Sequence, residues 1–228
     1  MGYDSTITFT LDTICPWTYL GFLRLRKALD AYRSSNPSSS VTFTLHIAPY
    51  QLYPDFPQSG VDRHEWYRDE KYAGSEERFK KYAAYMGALA KDEGVEFDFS
   101  GGPFANTFHA HRVLQYVQEH KGAEAAVKAL ENLYQQYFTE RAHPSSAETL
   151  LKACAAAGLD EKESKTVVED ESEEAMETKM AIREQVGNGV DSVPYIVFEG
   201  RKRDFTLIGA KDVREYVKTL EQVVKEAS

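Results

Sequence analysis

The sequence contains few cysteines and no long apolar run. Only Cys15 and Cys154 occur in 228 residues, which is too few for a disulfide framework. No apolar stretch approaches the ~18 residues that span a bilayer, and the amino terminus lacks the basic start and apolar run of a signal peptide. We therefore expect a cytoplasmic protein, in a compartment that keeps thiols reduced, with no membrane partner.

Basic clusters are scarce as well. The net charge is −9, and the basic run Arg201-Lys202-Arg203 is followed directly by Asp204. Nucleic acids and anionic membrane surfaces are polyanions, so neither is expected as a partner of this chain. With 42% hydrophobic and 28% charged residues, the composition is that of an ordinary globular protein.

The histidines do not have the short spacings that metal sites use. His46, His64, His120 and His143 are scattered along the chain without a second ligand at a suitable distance in sequence. We therefore expect no metal site.

The beginning of the chain has the pattern of a strand, a helix and a second strand. Thr6 to Leu11 alternates β-branched and apolar residues, and every second residue of Val41 to Ile47 is apolar. Tyr19 to Tyr32 has apolar residues at helical spacing, and Pro16 suits the first turn of that helix. This order predicts a parallel pair of strands joined by a crossover helix.

A long helical middle separates this start from a second strand-rich region at the carboxyl end. Periodicity and capping residues predict helices over Arg63 to Tyr72, Ser75 to Glu93, Asn106 to His120, Ala123 to Phe138, Ser146 to Ala157 and Ser172 to Gln185. Two short strands, Tyr195 to Phe198 and Phe205 to Ile208, then precede an amphipathic helix over Lys211 to Glu226.

Cys15 lies where the first strand passes into the first helix. The first turn of a helix offers unpaired N–H groups and the positive end of the helix dipole, and both stabilise a thiolate. We therefore predict a reactive Cys15 whose pKa lies below the free value of ~8.5. The alternative is a buried structural cysteine, which is inert.

The stretch DTICPWTYLG resembles a C-x-x-C redox motif in which Thr18 stands at the second cysteine position. A threonine cannot resolve a mixed disulfide from within the protein, although its hydroxyl could donate a hydrogen bond to the Cys15 thiolate. Cys154 is the other candidate partner. It lies in the apolar helix face LLKACAAAGL, which favours a packing role over that of a resolving thiol.

The order of these features resembles the DsbA-like thioredoxin superfamily and, within it, the FrnE-like branch of polyketide-associated proteins. The D-x-x-C-P-W-C-Y-x-G motif of that branch is matched at Asp12, Cys15, Pro16, Trp17, Tyr19 and Gly21, with Thr18 in place of the second cysteine. Further matches are the helix start Asn106, Thr107, Ala110, His111 and Arg112, the stretch Gly189, Val190, Val193, Pro194, Val197 and Phe198, and the pair Gly209 and Ala210.

This resemblance implies an α/β thioredoxin fold with an inserted all-helical domain. Residues 1–58 and 188–228 would form the thioredoxin-like domain, and residues 59–187 the helical insertion. The resemblance also implies that Pro194 is cis and packs against the start of the Cys15 helix. The backbone of Val193 would then pair with an incoming peptide or glutathione as an extra strand. The helix that begins at Asn106 would face this site across a cleft.

The remaining candidate site residues follow from position. Pro16 and Trp17 flank Cys15 and are candidates for substrate contact, and Asn106 and Thr107 could orient a ligand, although helix capping alone would explain Asn106. His109 and His111 are two residues apart and so cannot share a helix face. His111 occupies the Ala-His-Arg position and is the better candidate base, with a capped or surface histidine as the alternative.

Three functions are compatible with a single active-site cysteine. The first is a monothiol oxidoreductase whose mixed disulfide is resolved by external glutathione. The second is a glutathione-dependent transferase or isomerase, like the related kappa-class transferases and hydroxychromene carboxylate isomerases. Those proteins carry Gly-Ser/Asn-Asp-Arg where this chain has Gly209-Ala210-Lys211-Asp212, which weakens this hypothesis. The third is a thiol-independent isomerase or cyclase acting on an aromatic, polyketide-type small molecule.

The retained Cys15 favours the first function, with a small-molecule or thiol/disulfide substrate and glutathione as its co-substrate. A homodimer would agree with the resemblance, because related proteins often pair.

Overall fold

A computed structural model describes residues 2–227 and contains one mixed sheet surrounded by helices. The strands are β1 (Tyr3–Leu11), β2 (Val41–Pro49), β3 (Val61–Asp62), β4 (Pro103–Phe104), β5 (Tyr195–Phe198) and β6 (Phe205–Ile208). The helices are α1 (Pro16–Ser35), α2 (Arg63–Trp66), α3 (Glu76–Asp92), α4 (Phe108–Lys121), α5 (Ala123–Phe138), α6 (Ala147–Ala156), α7 (Glu161–Glu169), α8 (Ala175–Gly187) and α9 (Val213–Ala227). A π-helical turn, Tyr67–Lys71, extends α2.

The main sheet has the order β2-β1-β5-β6. β1 and β2 are parallel and are connected by α1, as the strand, helix and strand pattern predicts. β5 pairs antiparallel with β1 and forms a hairpin with β6. The α/β thioredoxin fold with a helical insertion is therefore confirmed, and the small β3–β4 ladder is an addition that the sequence did not reveal.

The strand pattern of β2 arises from burial on one face. Val41, Phe43, Leu45 and Ile47 are all buried, whereas the residues between them are exposed. Their β-branched and aromatic side chains suit a pleated surface that packs on a core. The alternation read from the sequence is thus confirmed.

Most predicted helices have the expected positions. The α5 helix has its predicted ends, and Ser146 caps α6 by accepting a hydrogen bond from the Thr149 N–H at 3.3 Å. The α4 helix begins at Phe108, two residues later than predicted, because Asn106 and Thr107 have non-helical roles before it. The α7 helix was not predicted at all.

The hydrophobic core is continuous between the sheet and the helical segment. The ring of Phe9 on β1 contacts that of Phe22 on α1 at a centroid distance of 6.3 Å, and Phe22 contacts Tyr134 on α5 at 5.7 Å. Such contacts join both regions in one cluster of buried residues. The division into residues 1–58 with 188–228 and residues 59–187 stays a prediction.

Within residues 2–227 no helix combines the length and the apolar character needed to cross a bilayer.

Arg112 connects two helices of the insertion. Its guanidinium is fully buried and donates to main-chain carbonyls at the end of α7, including Val167 at 2.6 Å and Asp170 at 3.1 Å. The last carbonyls of a helix have no partner within the helix, so a buried helix end needs such a donor. Arg112 therefore has a structural role on the face of α4 that packs against α7.

We predict that Arg112→Met lowers the free energy of unfolding by about 3 kcal/mol, because buried carbonyls lose their charged donor. Urea denaturation followed by circular dichroism measures this change. The matched control is Arg183→Met, which removes an exposed arginine of α8 and should leave stability nearly unchanged. Equal stability of the two variants would contradict the assigned role.

Candidate functional site

Cys15 is the N-cap residue of α1 and lies against the Val193-Pro194 peptide. Its backbone is extended, and Pro16 follows as the first helical residue. The Val193-Pro194 bond is cis, as the resemblance implied, and the Cys15 Sγ lies 3.8 Å from the Val193 carbonyl oxygen. A Cβ added at Gly21 would lie 3.1 Å from Pro194 Cγ, which explains why a glycine occupies this position of α1.

The thiol of Cys15 is almost fully buried, with 6% of the residue exposed. Burial raises the pKa of Cys15 to about 11, although the backbone N–H groups of Thr18 and Trp17 lower it. The prediction of a lowered pKa was therefore wrong for the unliganded protein. The helix start does supply the expected donors, but the loss of water around the sulfur outweighs them.

Thr18 is fully buried beneath Cys15. Its hydroxyl lies 2.7 Å from the Cys15 carbonyl oxygen and 2.8 Å from that of Asp12. A hydroxyl has one proton to donate, so these two backbone acceptors compete with the sulfur for it. The contact between Thr18 and the sulfur is accordingly only a minor cause that lowers the pKa of Cys15.

A buried Asp12–His111 pair lies behind the thiol. Asp12 Oδ2 accepts a hydrogen bond from the Leu52 N–H at 2.8 Å, and Asp12 Oδ1 lies 3.4 Å from His111 Nε2. The negative charge of Asp12 is one of the causes that raise the pKa of Cys15. His111 Nδ1 has no hydrogen-bond partner among residues 2–227. The role of His111 as a base stays a prediction.

Asn106 and Thr107 are buried and support the loop that follows β2. Asn106 Nδ2 donates to the carbonyls of Pro54 and Phe56 at 2.8 and 2.9 Å, and its Oδ1 accepts from the Phe108 N–H. The polar atoms of Asn106 are thus bonded within the protein. Thr107 is the N-cap residue of α4. Neither residue lines the cavity at Cys15, and a role in ligand binding stays a prediction.

The two other chemically interesting residues lie elsewhere in the helical segment. His109 lies 3.8 Å from Glu171, on a different face of α4 from His111. Cys154 is fully buried in α6 next to Ser164, and burial raises its pKa to about 11. Both cysteines are free, and Cys154 does not line the Cys15 cavity. This arrangement agrees with a packing role for Cys154.

A cavity of about 380 Å³ opens at Cys15. Its walls include the predicted residues Pro16, Trp17 and Val193, and seven of its fifteen lining residues are aromatic. Tyr53, Trp66, Tyr67, Tyr82 and Phe104 belong to this wall, and Lys71 lies beside them. Tyr19, in contrast, stacks on Tyr134 at 4.6 Å within the core and takes no part in it.

The aromatic wall was missed because its members lie on separate elements and have the spacing of core residues. Tyr53 comes from the loop after β2, Trp66 from α2, Tyr82 from α3 and Phe104 from β4. The only sequence signal was the high content of aromatics, with 14 tyrosines and 12 phenylalanines. Nothing in one local motif brings these rings together.

In the described part of the chain, no three histidine, cysteine, aspartate or glutamate side chains converge as a metal site would require.

The cis proline opposite a helix-capping cysteine defines a thioredoxin-fold protein, here with inserted helices. The chain belongs to the family of the DSBA-like thioredoxin domain, which matches residues 6–221. Members of this family are oxidoreductases or isomerases that act through the same fold. No curated protein matches the sequence significantly.

Solved structures resemble the chain over nearly its full length. A probable DsbA oxidoreductase from Streptomyces coelicolor is 25% identical, with a TM-score of 0.81 over 98% of this chain and 92% of the other. A 2-hydroxychromene-2-carboxylate isomerase is 15% identical, with a TM-score of 0.61 over 97% and 95%. A cytosolic disulfide reductase from Pseudomonas aeruginosa is 14% identical, with a TM-score of 0.55 over 96% and 95%. The latter two share the fold.

We predict that alkylation of Cys15 by iodoacetamide is slow at neutral pH and accelerates about tenfold per pH unit up to about pH 10, because only the thiolate reacts. The pKa near 11 requires this slope. Mass spectrometry of the Cys154→Ser protein measures the rate at Cys15 alone, and N-acetylcysteine is the control. A rate that levels off below pH 8 would contradict the buried, protonated thiol.

We predict that Asp12→Asn accelerates the same alkylation roughly threefold at pH 8. Removing the negative charge lowers the pKa of Cys15 and increases the thiolate fraction. Asparagine keeps an acceptor for the Leu52 N–H, and Asp30→Asn removes an exposed carboxylate from the distal half of α1 as a control. An unchanged or slower rate in Asp12→Asn would show that Asp12 does not disfavour the thiolate.

Proposed function

We propose that this protein is a monothiol oxidoreductase in which Cys15 forms a mixed disulfide with its substrate and external glutathione resolves it. The observation that carries the proposal is the solitary position of Cys15. It caps α1 opposite cis-Pro194 at a cavity, and no other thiol lines that cavity. The family provides the chemistry of thiols and disulfides.

An internal resolving group is missing at both candidate positions. The Thr18 hydroxyl stands where a second cysteine would stand, and it is engaged with two backbone carbonyls. Cys154 is buried in α6 and packs beside Ser164. A mixed disulfide on Cys15 therefore depends on a thiol from solution.

The reaction proceeds in three exchanges. The Cys15 thiolate attacks one sulfur of the substrate disulfide, so that a new S–S bond forms while the old one breaks and a substrate thiolate leaves. A glutathione thiolate then attacks the mixed disulfide and releases the Cys15 thiolate. A second glutathione thiolate attacks the glutathione sulfur of the substrate–glutathione disulfide and releases the second substrate thiolate, so that the substrate gains two electrons and glutathione is oxidised to its disulfide.

Because the pKa of Cys15 is high, the first exchange requires that a bound substrate favour the thiolate of Cys15. At neutral pH burial keeps the Cys15 thiol protonated and unreactive, which protects this single cysteine from incidental oxidation. The backbone N–H groups of Thr18 and Trp17 favour the thiolate and lower the pKa of Cys15. The backbone of Val193, which the family implies as the strand-like partner of a peptide or glutathione, would hold the substrate beside it.

A thiol-independent isomerase acting on an aromatic small molecule is the second candidate. The aromatic residues in the lining of the cavity favour it, whereas the retained Cys15 in the same lining favours the oxidoreductase. A glutathione transferase of the kappa type has less support. Gly209 and Ala210 lie close to cis-Pro194 and Gly21, and they provide no polar side chain for the γ-glutamyl group.

We predict that incubation with oxidised glutathione at pH 8.5 adds one glutathione to the protein, at Cys15. Intact-protein and peptide mass spectrometry measure the adduct, which reduced glutathione should remove. Cys154→Ser should give the same adduct and Cys15→Ser none. Modification of Cys154 alone, or of neither cysteine, would contradict the monothiol mechanism.

Thr18→Cys provides a second test of the same mechanism. The introduced thiol lies one helical turn from Cys15 and should displace glutathione, leaving an internal disulfide in place of the adduct. Thr18→Val is the matched control, because it keeps the shape of the residue without a thiol and should retain the adduct.

A further inference from the structure

The cavity beside Cys15 has a rigid aromatic wall. The rings of Trp66 and Phe104 stack at a centroid distance of 3.7 Å, and Tyr53 contacts both edge to face at 5.0 and 5.3 Å. Each ring is therefore fixed by its neighbours, and rings in different orientations line the cavity. Such fixed rings offer faces and edges on which an aromatic ring of a ligand can pack.

One cation stands over this wall. Lys71 Nζ lies 5.1 Å from the centroid of the Tyr53 ring and 5.4 Å from that of the Trp66 ring. Lys71 ends the π-helical turn Tyr67–Lys71, a type of turn that often occurs at functional sites. Within residues 2–227 no carboxylate forms an ion pair with Lys71. Its charge is therefore available to an anion in the cavity.

The other charged residue that lines the cavity is Asp191, and its carboxylate already has a hydrogen-bond partner. Asp191 lies two residues before Val193, is exposed, and accepts a hydrogen bond from the Ser192 hydroxyl at 2.9 Å. The thiol, the aromatic wall and the cation thus contribute three different kinds of contact to one space of about 380 Å³, a volume that suits a small molecule.

We propose that the substrate of Cys15 is a disulfide of an aromatic thiol whose ring carries an anionic group such as a carboxylate. The ring would pack on the wall of Tyr53, Trp66 and Phe104, the anion would lie at Lys71, and the reacting sulfur would lie at Cys15. This inference rests on the proposed thiol chemistry and adds the chemical class of its substrate.

The chemistry balances with a simple probe. In 5,5′-dithiobis(2-nitrobenzoate) two nitrobenzoate rings are joined by a disulfide. The Cys15 thiolate attacks one sulfur, the Cys15–S–aryl bond forms, the aryl S–S bond breaks, and one thionitrobenzoate anion leaves with the electron pair. A glutathione thiolate then attacks the Cys15 sulfur, a Cys15–glutathione disulfide forms and the second thionitrobenzoate anion leaves. A second glutathione attacks the glutathione sulfur of that disulfide, which releases the Cys15 thiolate and forms oxidised glutathione.

The test compares three disulfides on the Cys154→Ser protein at one pH. They are 5,5′-dithiobis(2-nitrobenzoate), the neutral aromatic 4,4′-dithiodipyridine, and oxidised glutathione, which has no ring. Each second-order rate constant at Cys15 is divided by the rate constant of the same reagent with N-acetylcysteine. This ratio corrects for the different intrinsic reactivities of the three disulfides. We expect the nitrobenzoate reagent to give the highest ratio, although a net charge of −9 repels an anion in general.

Lys71→Met separates the role of the cation from that of the rings. The ratio for the nitrobenzoate reagent should fall roughly threefold, the modest effect of a solvent-accessible ion pair, while the ratio for dithiodipyridine stays unchanged. The matched control Lys218→Met removes an exposed lysine of α9 and should alter neither. High salt should reduce the anion preference of the parent protein in the same way.

Fluorescence reports where the ring is bound. Trp17 and Trp66 are the two tryptophans of the chain, and both line the cavity. A thionitrobenzoate ring seated there should quench most of the tryptophan emission, and glutathione attached to Cys15 should quench much less. An aryl adduct without quenching would place the ring outside the cavity and overturn the inference.

The two proposals fail in different ways. If glutathione labels Cys15 but the normalised rates are equal and Lys71→Met has no effect, the proposed substrate class is wrong and the monothiol mechanism stands. If none of the three disulfides labels Cys15, the monothiol mechanism itself is wrong.

Discussion

The structure depends on one contact, the packing of the amino-terminal end of α1 against the cis Val193-Pro194 peptide. The Cys15 sulfur lies 3.8 Å from the Val193 carbonyl oxygen, and Gly21 leaves the space that Pro194 fills one turn and a half further along the helix. The Gly209 N–H donates to the Pro194 carbonyl at 2.8 Å and holds the peptide that follows this proline. This contact joins the two ends of the chain and decides which side of the thiol remains accessible.

The same contact sets the chemistry of Cys15. Close packing removes water from the sulfur, and the buried charge of Asp12 behind it acts in the same direction, so the thiol stays protonated at neutral pH. A protein with a second cysteine at position 18 would resolve its own mixed disulfides. Here Thr18 bonds to the backbone, so specificity and turnover depend on what enters the cavity from solution. The aromatic wall and Lys71 line that cavity beside Cys15.

Much of this architecture could be predicted from the sequence, because local patterns determine it. The alternation in β2 and the proline that starts α1 predicted the parallel pair of strands. The cis bond before Pro194 was implied by the family resemblance and not by the Val193-Pro194 sequence alone. Other features depend on distant packing. The α7 helix was missed because its sequence is mostly polar and its apolar residues are adjacent at Val167 and Val168. The pKa of Cys15 was wrong because a local motif reveals the N–H donors of a helix start but does not reveal burial.

The most direct measurement of the central claim is a crystal structure of the protein after treatment with oxidised glutathione. The account predicts continuous density from Cys15 Sγ to a second sulfur at about 2.05 Å, with the glutathione chain beside the Val193 backbone and Cys154 unmodified. An unmodified Cys15, or glutathione bound to Cys154, would contradict the account of Cys15 as the single working thiol.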